Sequence, residues 1–132
     1  MCDLTTRCLG LEKHQGMICF VNRQATVTSG IKLAKHLLDK LGLRTTESLD
    51  DGMAIAQGQT LLIATGDIDA LHQGWKIVQN VLEWTCGVAH NTAQMVAKAR
   101  SVNPNIQIAC TRKSIPGTRL LSTAALRVEQ IH

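Results

Sequence analysis

Aromatic side chains are scarce in this 132-residue chain: there is no tyrosine, one phenylalanine, Phe20, and two tryptophans, Trp75 and Trp84. Against 14 basic side chains, three rings cannot supply the stacking platforms of an RNA or single-strand binder, and no nucleic-acid partner is expected. No apolar run approaches the roughly eighteen residues of a membrane span. Residues 1–20 also lack the basic start and long apolar stretch of a secretory signal. A cytoplasmic protein with no membrane partner is therefore expected. The five cysteines, Cys2, Cys8, Cys19, Cys86 and Cys110, form neither a CxxC pair nor a cluster with histidine at zinc spacing. They predict reduced thiols packed in the core, with no disulfide framework and no metal site. The P-loop, the GxGxxG dinucleotide fingerprint, HExxH and the GxSxG elbow are missing too, which removes the usual markers of nucleotide hydrolysis, dinucleotide binding, zinc proteolysis and serine hydrolysis.

What is present is enough for one core, with 45% apolar residues in a chain of ordinary single-domain length. That core must be built from aliphatic side chains. The net charge of +4 is unevenly placed. Residues 1–97 carry eight basic and nine acidic side chains, whereas residues 98–132 carry six basic and one acidic. The six, Lys98, Arg100, Arg112, Lys113, Arg119 and Arg127, are interspersed with apolar residues. That pattern favours an anion site over a disordered basic arm.

Along the chain, Met17–Val21 reads as a strand, Asn22-Arg23-Gln24 as a turn and Ala25–Thr28 as a second extended piece, most simply a hairpin. Ile31, Ala34, Leu37, Leu38 and Leu41 recur at helical spacing and stop at Gly42. Asp50-Asp51-Gly52 reads as a turn in preference to a metal site. Thr60–Thr65 is a buried strand ended by Gly66. Asp67 or Asp69 can cap the next helix, which is apolar along two stripes: Leu71, Trp75, Val78 and Leu82, and Ile77, Val81, Trp84 and Val88. Two such stripes suit a central core helix or one that also forms a subunit contact. After Gly87 a second helical segment runs to Asn103-Pro104-Asn105, the best domain boundary in the chain. Ile106, Ile108 and Cys110 then alternate as one strand, and a further helix starts near Leu120. A strand and helix without a second strand cannot close a sheet. Ile106, Ile108, Leu120 and Leu121 are left without partners, so poor solubility is expected.

The tail strand leads straight into three cations within eight residues, Arg112, Lys113 and Arg119, around a Pro116-Gly117 turn. In α/β folds the C-terminal edge of a strand is where polyanionic ligands bind. Arginine brings a bidentate fork and lysine a compact charge, a pairing suited to a ligand with several anionic groups. The alternative is a solvated basic loop.

Three stretches, in order, resemble the quinolinate phosphoribosyltransferase (nicotinate-nucleotide pyrophosphorylase, carboxylating) family, most closely its ModD-type molybdenum-utilisation members. Asp3-Leu4-Thr5-Thr6 resembles the family's GDLTT opening. Gly74-Trp75-Lys76 through Trp84, continued by Cys86-Gly87-Val88-Ala89, resembles its long helix. Thr111-Arg112-Lys113 with Pro116-Gly117 and Arg119 resembles its TRKTTPGLR signature. The resemblance implies an α/β fold: an α+β N-terminal sandwich domain at residues 1–102, followed at 103–132 by the first strand and helix of an incomplete α/β barrel. It implies transfer of phosphoribose from phosphoribosyl pyrophosphate (PRPP) to a quinolinate-like nitrogen acceptor, with release of pyrophosphate, Mg2+ as cofactor and a homodimer as the working unit. By match to the motifs, Arg112, Lys113 and Arg119 would bind the substrate anions. Lys76 would reach the partner subunit's site, where the family presents an arginine. Lysine keeps the charge but loses the fork, which makes quinolinate itself a less secure substrate.

The departures shape the expectation of activity. Thr123 stands where the family pattern has lysine, and Val128-Glu129-Gln130-Ile131-His132 stands where it has a glycine-rich turn with a His-Arg pair. The acidic magnesium ligands and most of the barrel have no counterpart, and neither does the family's leading helix. A fragment with little or no catalysis alone is expected, with no catalytic residue assignable in it. The other reading is a non-catalytic dimerisation or binding module. The molybdenum association belongs to the resemblance only, since no residue here offers molybdate chemistry.

Overall fold

The computed structural model describes residues 14–111 and 113–127. Strand β1 (Gln15–Val21) alternates, with Gln15, Met17, Cys19 and Val21 exposed and Gly16, Ile18 and Phe20 turned inward. A short strand β2 (Thr26–Val27) follows, then helix α1 (Ile31–Lys40), whose Ile31, Ala34 and Leu38 are buried on one face. Next come β3 (Arg44–Ser48), β4 (Ala54–Ile55) and β5 (Thr60–Asp67). Helix α2 (Ile68–Val102) and helix α3 (Arg119–Arg127) complete the order.

The sheet is three-stranded and antiparallel, in the order β1-β5-β3, and β2 pairs with β4 in a separate two-stranded piece. The hairpin expected at residues 17–28 does not form. β1 pairs with β5, Met17 opposite Thr65 and Phe20 opposite Leu62, so its ladder partner lies some forty residues downstream. The reason is in the side chains: β5 carries Leu61, Leu62 and Ala64, all buried, and only a strand of that apolar content can lie at the centre of the sheet. Helices α1 and α2 pack on the inward side, making a two-layer α/β arrangement around Phe20, Ile31, Leu38, Leu62, Leu71 and Val78.

Helix α1 starts at Gly30, whose φ of +81° takes the chain sharply into the helix. Gly30 brings no side-chain cap. Asp51 does that work from the turn between β3 and β4: one carboxylate oxygen accepts the Ile31 N–H at 2.7 Å and the other lies 3.5 Å from the Lys32 nitrogen. The Asp50-Asp51-Gly52 turn is held in place by Thr28, whose hydroxyl donates to the Asp50 carbonyl at 2.7 Å and accepts the Met53 N–H at 2.8 Å. The acidic pair is thus a helix cap and a turn.

Helix α2 runs unbroken for 35 residues, about 52 Å at 1.5 Å per residue. The expected interruption at Gly87 is absent. Glycine inside a helix costs only about 1 kcal/mol, and Cys86 before it and Ala89 two residues after it are buried on the core side. Asp67 sits at the N-cap position without bonding the helix, because its carboxylate accepts a hydrogen bond from the Gln15 side-chain amide of β1. Among the described residues no helix is long and apolar enough to cross a membrane.

The tail departs from expectation. Residues 106–111 form no strand, since β-structure needs a ladder partner and none of the described strands lies beside them. The final helix does form, and α3 packs back against α2 with Ala125 fully buried.

Candidate functional site

The four residues singled out by the sequence fall in two places. Lys76 stands in the third turn of α2, exposed, its Nζ 4.7 Å from the centroid of the Trp75 ring and 3.4 Å from Gln79 Oε1. Gln79 in turn donates to Glu83 Oε1 at 2.8 Å, so an ammonium, an amide and a carboxylate follow one another along the helix surface. Lys113 and Arg119 lie in the tail: Lys113 on the stretch without secondary structure, Arg119 at the start of α3, both exposed. Arg112 lies outside the described residues, as does the Asp3-Leu4-Thr5-Thr6 motif. About 39 Å of helix separates Lys76 from Val102, the end of α2 that leads into the tail.

The Pro116-Gly117 turn has the expected form. Thr118 N–H bonds the Ile115 carbonyl at 3.0 Å, the Thr118 hydroxyl bonds the same carbonyl at 2.7 Å, and Gly117 takes φ +83°. The turn therefore sets Lys113 and Arg119 on either side of a fixed bend. Among the described residues no three His, Cys, Asp or Glu side chains converge as a metal site.

A well-formed concavity lies somewhere else. A groove of about 650 Å³ lies between the β1 end with its following loop and helix α2, with Ile18 and Phe20 on one side and Trp75, Leu82, Cys86 and His90 on the other. A second cavity of about 440 Å³ adjoins it, sharing Ile18 and Trp75. Sequence reasoning gave no hint of this groove. Its walls are some fifty-five residues apart in the chain, and no motif marks them.

Cys86 lies on the groove wall but is not a reactive thiol. Burial pushes its pKa up, against the lowering effect of the Ser29 backbone bond; nearby Asp51 pushes the same way as burial, and Thr85 opposes. Its Sγ lies 3.4 Å from both Ser29 N and Ser29 O. Of the described cysteines only Cys86 is in the core; Cys19 and Cys110 are exposed, contrary to the expectation of general core packing. The raised pKa means the folded state holds the thiol proton more tightly than the unfolded chain. Its stabilising share is complete below the ordinary thiol pKa and is lost as pH rises through the folded value. Iodoacetamide at neutral pH is therefore expected to label Cys19 and Cys110 while Cys86 reacts at least tenfold more slowly, and urea should abolish the difference. Site-resolved mass spectrometry reads this directly.

Comparison with known proteins agrees with the motifs. The family described as "Quinolinate phosphoribosyl transferase, N-terminal domain" matches residues 3–86, and its C-terminal domain matches residues 88–129. The chain is 48% identical over 124 residues to a protein of Pasteurella multocida named as the pyrophosphorylase ModD, covering 94% of this chain and 44% of that protein. It is 51% identical over the same length and coverage to the ModD of Escherichia coli O6:H1. A nicotinate-nucleotide pyrophosphorylase (carboxylating) of Archaeoglobus fulgidus is 32% identical over 108 residues, 82% of this chain and 42% of that one. The crystal structure of NadC from Streptococcus pyogenes superposes with a TM-score of 0.86 at 23% identity, over 96% of this chain and 46% of that chain, which establishes the shared α/β fold. The chain thus spans less than half the length of these relatives. With both domain descriptions matched in order, from residue 3 to residue 129, the chain belongs to the quinolinate phosphoribosyltransferase family.

Proposed function

We propose that this chain carries the N-terminal domain and the first anion-binding elements of a phosphoribosyltransferase that moves phosphoribose from PRPP to a quinolinate-like nitrogen acceptor in the cytoplasm. The observation that carries the reading is the retained basic turn: Lys113 and Arg119 flank Pro116-Gly117, exposed and with no ion pair among the described residues. In this reading Arg112, Lys113 and Arg119 hold phosphate or carboxylate groups. Displacement of pyrophosphate builds positive charge on the sugar carbon while negative charge grows on the leaving group, so cations fixed around the anions stabilise the transition state. The division into domains at residues 1–102 and 103–132 belongs to the same proposal.

Lys76 serves a neighbouring subunit's site in a homodimer. Its distance along α2 from the tail supports that assignment. So does the second apolar stripe of α2, where Ile77 is 54% and Trp84 41% exposed, uncovered by any described element. The same stripe favours the second reading, a dimerisation module. Among the described residues no group of three His, Cys, Asp or Glu side chains is placed to hold magnesium.

The chain alone is expected to have little or no turnover, because among the described residues no strand holds the basic turn. Incubation with PRPP, Mg2+ and quinolinate, followed by a pyrophosphate assay, should give no release above background. Isothermal titration with PRPP should show weak, salt-sensitive binding that falls at least fivefold in a Lys113→Gln/Arg119→Gln double variant. Turnover near that of a complete enzyme would overturn the expectation of inactivity, and PRPP affinity indifferent to the double variant would overturn the anion assignment.

A further inference from the structure

Lys76 lacks the planar fork that orients a guanidinium, and its ammonium is a point charge on a four-carbon stem. Such a stem sweeps a wide volume unless groups outside it fix the charge. Two groups do so here. The indole of Trp75, which is 40% exposed and otherwise packed into the molecule, has its ring centroid 4.7 Å from Nζ. Gln79 Oε1 accepts from the same ammonium at 3.4 Å. The backbone beneath them is fixed as well: Gly74 is buried where a Cβ would come within 2.7 Å of Leu41 Cδ1, so α2 is pressed onto the end of α1 one residue before Trp75.

Gln79 is itself oriented. Its Nε2 donates to Glu83 Oε1 at 2.8 Å. An ionised carboxylate only accepts, so the amide nitrogen points toward Glu83 and the amide oxygen toward Lys76. The carboxylate thus fixes the amide without meeting the cation. Glu83 lies seven residues beyond Lys76, about 10.5 Å along the helix axis, whereas side chains pair on a helix when three or four residues apart. The positions at that spacing around Lys76 are His72, Gln73, Gln79 and Asn80, with no carboxylate among them. Lys76 is therefore held by neutral groups, and its charge is not cancelled on its own helix. Each of these residues is ordinary on a helix surface, and only the order of their contacts sets this lysine apart from a solvated one.

We propose that Trp75 and Gln79 are positioning residues for the Lys76 ammonium, with Glu83 setting the direction of Gln79, and that the charge so held receives one anionic oxygen of the substrate. The proposal rests on the reading that Lys76 serves a substrate site, and adds the means by which a lysine acts there as a fixed charge. A charge placed before the reaction stabilises charge that develops during it, whereas a side chain still to be ordered loses part of the interaction to its own ordering. An ammonium has three N–H donors. One is used on Gln79 and the indole face takes another side of the cation, which leaves a donor for a single anionic oxygen in place of a bidentate pair. A carboxylate at position 79 would hold the lysine equally well but neutralise it, and that is the difference the glutamine makes.

The test is carbon–proton NMR of the intact chain labelled with carbon-13 at lysine, the Lys76 signal being identified by its loss in Lys76→Arg. The ε-methylene protons of Lys76 are expected upfield of those of Lys98, an exposed lysine near the end of the same helix, because they lie over an indole face. Trp75→Leu should abolish the displacement and Trp75→Phe should keep part of it. Gln79→Leu and Glu83→Leu should each remove at least half. Gln79→Glu separates holding from charge: the displacement should stay, while the concentration of quinolinate or PRPP needed to move the Lys76 signal rises at least fivefold. Quinolinate offers carboxylates and PRPP phosphates, so the one that saturates at lower concentration names the group received. A Lys76 signal without upfield displacement, a displacement untouched by Gln79→Leu and Glu83→Leu, or an anion response unchanged by Gln79→Glu overturns the proposal. A displaced signal that responds to both anions no more than that of Lys98 leaves the positioning of the ammonium standing and overturns instead the reading of Lys76 as a substrate residue.

Discussion

Replacing Gly30 with valine is expected to destabilise the folded chain by about 3 kcal/mol or more, the sum of a left-handed backbone imposed on a branched residue and a collision in a closed space. Gly30 sits at φ +81°, and a Cβ built there runs into Thr85 Oγ1 and lies 3.2 Å from both Thr85 Cβ and Cγ2. Thr85 cannot yield easily. It is buried at the centre of α2, and its hydroxyl oxygen is 2.6 Å from the Ser29 carbonyl oxygen and 2.8 Å from that of Val81. Gly42 provides the control, with φ +76° and nothing within 4 Å of a built Cβ. Gly42→Ala should cost only the backbone term, about 1 kcal/mol. Gly30→Ala should cost about 2 kcal/mol more than Gly42→Ala, and Thr85→Ala added to Gly30→Ala should recover part of that difference. Urea unfolding followed by circular dichroism measures all four. Equal midpoints for Gly30→Ala and Gly42→Ala would show that the Thr85 contact carries no energy.

The contact matters beyond stability because it is where the start of α1 meets the middle of α2. Asp51 caps α1 from the turn, Thr28 fixes the turn, and Ser29 bonds both Thr85 and Cys86. These bonds set the tilt of α2 against the sheet. They therefore set the width of the groove beside β1 and the direction in which Lys76 is presented.

How much of this is legible in the sequence depends on whether a residue's partner is near it in the chain. β5 and both large helices are plain in the hydrophobic pattern, because Leu61, Leu62 and Ala64, or Leu71, Val78 and Leu82, report burial by themselves. β3 is not legible: Arg44-Thr45-Thr46-Glu47-Ser48 has no apolar alternation, being an edge strand that packs little and is mostly exposed. The hairpin is a misreading of proximity, since a turn after Val21 suggests pairing with Thr26 while the apolar content of β5 takes β1 away. The tail shows the converse. Ile106, Ile108 and Cys110 have the alternation of a strand, but alternation states a capacity to pair and provides no partner. Of the candidate site, the basic turn is legible because Pro116-Gly117 acts locally. Lys76 is legible only through the family resemblance, as nothing in its neighbours distinguishes an active lysine from a solvated one. The groove is invisible in one dimension.

Leu62→Ala is expected to cost about 2–5 kcal/mol, the range for a leucine removed from a close-packed interior. Leu62 is fully buried in the central strand, opposite Phe20 on one side and Ser48 on the other, so its removal leaves a cavity bounded by two ladders and two helices that cannot all move inward. For a domain whose whole stability is about 5–15 kcal/mol, that loss should shift the urea midpoint strongly and can leave the chain unfolded at 37 °C. Ile115→Ala makes the counterpart. Ile115 is 57% exposed, next to the Pro116-Gly117 turn, and its truncation should change stability by no more than about 0.5 kcal/mol. The contrast locates the folding energy in the sheet and the helices packed on it, and leaves the exposed stretch that carries Lys113, before α3 packs back on α2, contributing little to it. A basic loop of this kind has its cations in place chemically but not held in position, and catalysis by charge stabilisation depends on their being held before the reaction begins. If Ile115→Ala proved as costly as Leu62→Ala, the stretch around the Pro116-Gly117 turn would be part of the cooperative unit, and an unsupported basic turn could not account for the low turnover expected of this chain.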